Sequence, residues 1–172
     1  MDNLRKYHTS LNRLLLAQMY RTEAYKKASE GTVDIKMKRL FKDNARIGKK
    51  FIEDISLMIN PLMIAETEDT DLPTHYQRTW EALPDILFGE SKNTVLDQYL
   101  TGENLSFQLY TEVLNSETEF PELVRDVLLS QQEIIRYTIE EMKEMKVSKL
   151  NLFFRKFTQL RRFFFQRRIQ FQ

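Results

Sequence analysis

The chain has 172 residues, 42% of them hydrophobic and 30% charged, with no cysteine and a formal net charge of +1. That length and apolar content suit one domain with a real core, and the lack of cysteine excludes disulfides, thiolate metal sites and a cysteine nucleophile. Four Gly and four Pro beside abundant Leu, Lys, Glu, Arg and Gln favour helix over strand.

The first predicted helix runs from Asn3 or Ser10 to Ser29, with Leu11, Leu14, Leu15, Gln18, Thr22 and Tyr25 on one face. Glu30-Gly31-Thr32 stops it. A second starts near Asp34, a capping residue, and turns Met37, Leu40, Phe41, Asn44, Ile47, Gly48, Phe51, Ile55 and Met58 inward, until Asn60-Pro61 ends it. So short a gap predicts an antiparallel hairpin. Residues 60–93 are too long for a turn: the acidic run Glu66 to Asp71 and Pro73 precede a short helical candidate, Tyr76 to Phe88, which holds the only Trp, and Gly89 follows. A third helix, Val95 to Leu114, places Glu103 within the apolar stripe Leu96, Tyr99, Leu100, Phe107, Tyr110, Val113 and Leu114. The fourth, Pro121 to Lys146, turns Leu123, Val124, Val127, Leu128, Gln131, Ile134, Ile135, Thr138, Met142 and Met145 inward. Two hairpins joined by one long connection predict an all-α, ferritin-like four-helix bundle with a single crossover. The domain division is 1–146 for the bundle and 147–172 for a basic aromatic C-terminal extension.

A weak internal repeat agrees with that topology. Sliding the first helix forward 85 positions pairs Leu11 with Leu96, Gln18 with Glu103 and Tyr25 with Tyr110, and sliding the second forward 87 pairs Asn44 with Gln131. Two amphipathic helices can match apolar positions through a shared period alone; polar matching polar at two positions is what points to a repeat.

The run Leu11-Asn12-Arg13-Leu14-Leu15, Ala24 to Ala28, Arg78-Thr79-Trp80, Gly102-Glu103-Asn104 with Tyr110, and the Pro-initiated last helix with Gln131 resemble a bacterial family of ferritin-like four-helix-bundle proteins of unknown function. The resemblance covers about residues 10 to 145 and implies the fold; it implies no activity. Where the family tends to place a His three before the Trp and another in the last helix, this chain has Gln77 and Thr138.

A ferritin-like di-iron site needs a Glu from each of two helices and a Glu-x-x-His from each of the others. The only histidines, His8 and His75, do not follow a Glu at that spacing: Glu53 is followed by Ser56 and Glu133 by Arg136. Gln18, Asn44, Glu103 and Gln131 remain as one candidate polar layer. One carboxylate among three amides is a poor di-iron cage, and the leading expectation is a metal-free hydrogen-bonded layer that fixes helix register. The alternative is a degenerate binder holding a small ligand or one weak cation, iron or manganese. Tyr25 and Tyr110 are expected as core rings with a wet hydroxyl, the redox role being the minor reading. Trp80 is expected to pin the crossover, and His75 to lie on a surface loop. No Ser-His-acid set or Gly-rich phosphate loop is present, so no enzyme chemistry is assigned and catalytic and cofactor-binding residues are none.

The extension carries Lys149, Arg155, Lys156, Arg161, Arg162, Arg167 and Arg168 with no acid, a net of +7 that leaves −6 on residues 1–146. It also holds seven of the twelve Phe. Leu150, Phe153, Phe157, Leu160, Phe164 and Phe171 cluster on a helical wheel, with Arg161 and Arg168 intruding. Four readings stay open: attachment to an anionic membrane surface, a partner or self-association helix, nucleic-acid contact, which the acidic bundle disfavours, and an unstructured extension. The contact candidates are Arg155, Lys156, Arg161, Arg162, Arg167 and Arg168. The overall expectation is a cytoplasmic protein, soluble or peripheral at the membrane, that works by homo-oligomer or partner association.

Overall fold

A computed structural model describes residues 2–59 and 72–146; the acidic run, the Asn60-Pro61 stop and the whole extension with its six contact candidates lie outside the described residues. Among the described residues the chain is all-helical, with no strand. The helices are α1 (Asp2–Gly31), α2 (Ile35–Met58), α3 (Thr74–Ala82), α4 (Lys92–Leu114) and α5 (Glu122–Lys146), with a 3-10 turn, Leu83–Leu87, after α3. Among these residues no helix is long and apolar enough to cross a membrane.

The ends follow from local chemistry. Asp34 caps α2, its side chain accepting from the Met37 N–H at 2.9 Å. Ser91 does the same for α4 through the Thr94 N–H, so α4 starts at Lys92 rather than at Val95. α1 continues past the expected stop at Ser29, because Thr32 N–H still reaches Ala28 O at 3.0 Å. The single helix expected over Tyr76 to Phe88 divides: Pro84 has no N–H to give, and the chain tightens into the 3-10 turn. Gly89 then reverses the chain at φ +92°, a conformation that favours glycine.

The α1/α2 pairs advance in opposite directions: Tyr7 Oη donates to Met58 O at 3.1 Å, Arg21 Nη2 to Asn44 Oδ1 at 3.1 Å, and the Tyr25 ring packs on Phe41 at 5.9 Å. The α4/α5 pairs do likewise, from Arg125 Nη1 on Leu114 O at 3.1 Å through Tyr110 and Gln131 to Lys146 and Asp97. α1 and α4 are antiparallel too, linked by Arg13 and Glu112 at 3.0 Å, Arg21 and Glu103 at 2.9 Å, and Tyr99 Oη on Ala24 O at 3.4 Å. It follows that α2 and α5, which meet at Thr138 Oγ1 and Asn44 Oδ1, 2.9 Å apart, are antiparallel.

The two seams between hairpins are treated differently. α3 and the 3-10 turn pack on α1 and α4. There Trp80, Tyr76 and Leu83 are buried, and the indole lies flat enough on Gly102 that an added Cβ would stand 2.9 Å from Trp80 Cζ2. Tyr25, Phe41, Trp80 and Tyr99 form one aromatic core, with ring centroids 4.6 Å apart for Phe41 and Tyr99 and 5.5 Å for Tyr25 and Trp80. Some residues expected inside are not: Leu123 is 81% exposed, and Leu15, Ile47, Phe107, Val124, Val127, Ile134 and Met145 are half-buried. On α5 the stripe Leu128, Gln131, Ile135, Thr138 and Met142 already fills the interior, which leaves Leu123, Val127 and Ile134 at its margin.

Candidate functional site: the buried polar layer

All four expected layer residues, Gln18, Asn44, Glu103 and Gln131, are buried, but they are not one uniform ring. Glu103 and Asn44 are joined by a residue absent from the expected set, Arg21, whose side chain is fully buried. Its Nε donates to Glu103 Oε1 at 2.9 Å and its Nη2 to Asn44 Oδ1 at 3.1 Å. The Tyr25 hydroxyl donates to the same Glu103 Oε1. Asn44 Oδ1 also accepts from Thr138 Oγ1, and its Nδ2 donates to Leu40 O at 3.0 Å, which fixes the amide's orientation. The guanidinium lies 5.1 Å from the Tyr25 ring centroid and 5.9 Å from that of Phe51.

Gln131 belongs to another level of the interior. Its Oε1 accepts from the Tyr110 hydroxyl at 2.7 Å, and Gln18 stands beside that hydroxyl. Nearby, Tyr76 Oη and Ser106 Oγ are 2.8 Å apart, and Ser106 in turn donates to Gly102 O at 3.1 Å. The expectation of wet tyrosine hydroxyls is corrected for Tyr25 and Tyr110. Both residues are fully buried, and their hydroxyls bond to side chains because the ring stripe points inward.

Electrostatics bind the first group together. Burial by itself lowers the pKa of Arg21, but attraction and hydrogen bonding to Glu103, with a contribution from Tyr25, carry it above its ordinary value. Burial and then the Glu103 charge push the Tyr25 hydroxyl well up, against a smaller opposing effect of Arg21. Burial also raises Tyr76, Tyr99 and Tyr110, so all four phenols stay protonated as hydrogen-bond donors.

The donor set does not fit a di-iron centre. Among the described residues no three His, Asp or Glu side chains gather as metal ligands. The one acid in this layer already faces a guanidinium, and a divalent cation added there would meet a fixed positive charge at close range in a low-dielectric interior. His8 is buried edge-on against Tyr7 at the far end of α1, and His75 is exposed on α3 rather than on a loop. Two surface grooves, of about 530 Å3 beside Met19 and Ile52 and about 450 Å3 beside Arg5 and Thr118, are lined by none of the four layer residues.

Arg21 is what reading the sequence missed, and its signal was present. Leu14, Gln18, Arg21, Tyr25 and Ala28 fall on one helical stripe, and an acid inside an apolar face of one helix calls for a cation on a facing one. Comparison of the chain with family models, with curated proteins and with solved structures gives no match.

Proposed function

We propose that this chain is a ferritin-like four-helix bundle with a structural, metal-free polar layer, and that it acts by association with itself or a protein partner rather than by catalysis. The observation that carries the reading is the pairing of Glu103 with Arg21. The carboxylate that an iron or manganese site would need is already neutralised at 2.9 Å, and Tyr25 occupies the same oxygen. A buried ion pair of this kind is best attested as a device for helix register and specificity, and it links α1 to α4 while Arg21 and Asn44 link α1 to α2. The internal repeat and the sequence resemblance support the bundle topology.

The test is elemental analysis of the purified chain, followed by anaerobic Fe(II) and Mn(II) titration of wild type and Glu103→Gln. The reading expects no stoichiometric metal in either. Metal bound by wild type and lost in the variant contradicts it.

A second reading, a small polar ligand in the interior, is favoured by one observation: Glu103 Oε2 and Arg21 Nη1 in one group, and Gln131 Nε2 at the neighbouring level, are buried with no hydrogen-bond partner among the described residues. Binding of a small oxyanion or amide that is abolished by Gln131→Leu would move the assignment to it. Attachment of the basic extension to anionic membranes is a separate proposal, read by vesicle co-sedimentation of the full chain with and without reversal of Arg161, Arg162, Arg167 and Arg168.

A further inference from the structure

Among the described residues no further element packs over the outer face shared by α2 and α5. Along α5, Leu123, Val127, Ser130, Ile134, Tyr137 and Glu141 recur at helical spacing on the side that faces α2 and solvent. Leu123 is 81% exposed and Tyr137 61%, while Val127 and Ile134 are half-buried at the joint. Along α2 the matching stripe holds Lys36, Arg39, Asp43, Ile47, Lys50, Asp54 and Leu57, the last 86% exposed, with Asp43 facing Arg39 and Asp54 facing Lys50 on the same helix. Equal steps along the two antiparallel helices from Asn44 and Thr138 put Leu57 level with Arg125, two residues from Leu123, Arg46 level with Arg136, next to Tyr137, and Arg39 level with Lys143, two residues from Glu141. The joint therefore carries apolar side chains, Leu57 and Leu123 at one end and Ile47, Ile134 and Tyr137 towards the middle, interleaved with charged ones on α2.

The two helices also differ in charge. α2 has seven Lys or Arg against three Asp or Glu, a net of +4, and α5 has four against six, a net of −2. A two-fold axis parallel to the helices, facing this surface onto a copy of itself, sets α2 of each chain over α5 of the other. A two-fold across the helices would set α2 on α2 and α5 on α5, like charge on like. Two helices about 36 Å long and about 10 Å wide each offer about 700 Å2, close to the ~800 Å2 per partner of a standard interface.

We propose that the α2/α5 face is a self-association surface, and that its occupant is a second copy of this chain in the symmetry that crosses basic α2 with acidic α5. The inference rests on the reading that the chain acts by association, and it names the partner. The contact buries Leu57 and Leu123 at one end and Tyr137 near the middle, and meets charge with charge towards Arg39 and Glu141 at the other end. It is isologous and closed, so assembly stops at the dimer.

The chain has no cysteine, which makes the geometry directly readable. Sedimentation velocity of the full chain is expected to show a dimer that weakens as salt rises. Tyr137→Glu and Leu123→Glu should each raise the dissociation constant at least tenfold with unchanged helicity by circular dichroism. Arg39→Cys mixed with Glu141→Cys should form an interchain disulfide that neither variant forms with itself. A monomer at every concentration, a dimer indifferent to both glutamate variants, or cross-linking of Arg39→Cys with itself overturns the proposal. A monomer that binds no iron or manganese removes the dimer alone. Stoichiometric metal lost in Glu103→Gln removes the metal-free reading whether or not the dimer is found.

Discussion

The α1/α4 seam and the α2/α5 seam join the same two hairpins, but among the described residues a further element packs over only the first. On the first, α3 and the 3-10 turn lay Tyr76, Trp80 and Leu83 over the joint, and beneath them sit Glu103, Arg21 and Tyr25 with no exposure to solvent. On the second, Asn44 meets Thr138 inside, while Leu57, Leu123 and Tyr137 remain exposed outside. The covered seam is where a charge can be held away from water, because cover and counter-ion arrive together. The open seam keeps apolar surface at the level where a partner would meet it.

That contrast is breakable. The largest single effect on the covered side is expected from Trp80→Ala, which empties a fully buried ring site and should cost about 3–5 kcal/mol in urea unfolding. Gly102→Ala should follow at about 1–3 kcal/mol, since its Cβ would press 2.9 Å from a ring already packed against Tyr25, Tyr76 and Tyr99. A loss well under that for Gly102→Ala would mean the indole is free to move and the seam is loosely closed.

High pH probes the same interior without mutation. Tyr25, Tyr76, Tyr99 and Tyr110 have raised pKa values in the folded chain. Their contribution to stability is complete below the unfolded tyrosine value of about 10 and is lost as pH rises from there towards the folded values. Phenolate absorbance should therefore lag in the native protein and appear in full in denaturant. Native titration matching the denatured curve would contradict the burial of these hydroxyls. Asp34→Ala removes a cap far from either seam and should cost about 1 kcal/mol by loss of one helix-terminal hydrogen bond. On the open seam, Tyr137→Glu should change monomer stability by less than about 0.5 kcal/mol, since among the described residues that ring is largely exposed.

Much of the helical content was legible in the sequence because each helix carries its own punctuation. Asp34 announces α2, the polar Asn115-to-Glu119 stretch separates α4 from α5, and inward stripes such as Met37, Leu40, Phe41 and Asn44 repeat at the helical period. Boundaries moved where hydrogen bonding outlasted the signal, as at Gly31, or where Pro84 changed the helix type. Burial of Gln18, Asn44, Glu103 and Gln131 also followed from spacing. Their partners did not. Periodicity says which face a residue takes, but not which residue of another helix stands opposite it, so Arg21 was read past and Gln131 was assigned to Glu103's level rather than to Tyr110. The openness of the second seam was equally hidden, since Leu123 and Val127 obey the same period as the core.

The measurement that bears most directly on the central claim is a double-mutant cycle between Arg21 and Glu103 by equilibrium unfolding. If the layer is a structural ion pair, Arg21→Met and Glu103→Leu should each cost about 3–5 kcal/mol by stranding a buried charge, and the double variant should cost less than either. Additive losses, or single variants within about 0.5 kcal/mol of wild type, would contradict the pairing as the element that holds the layer.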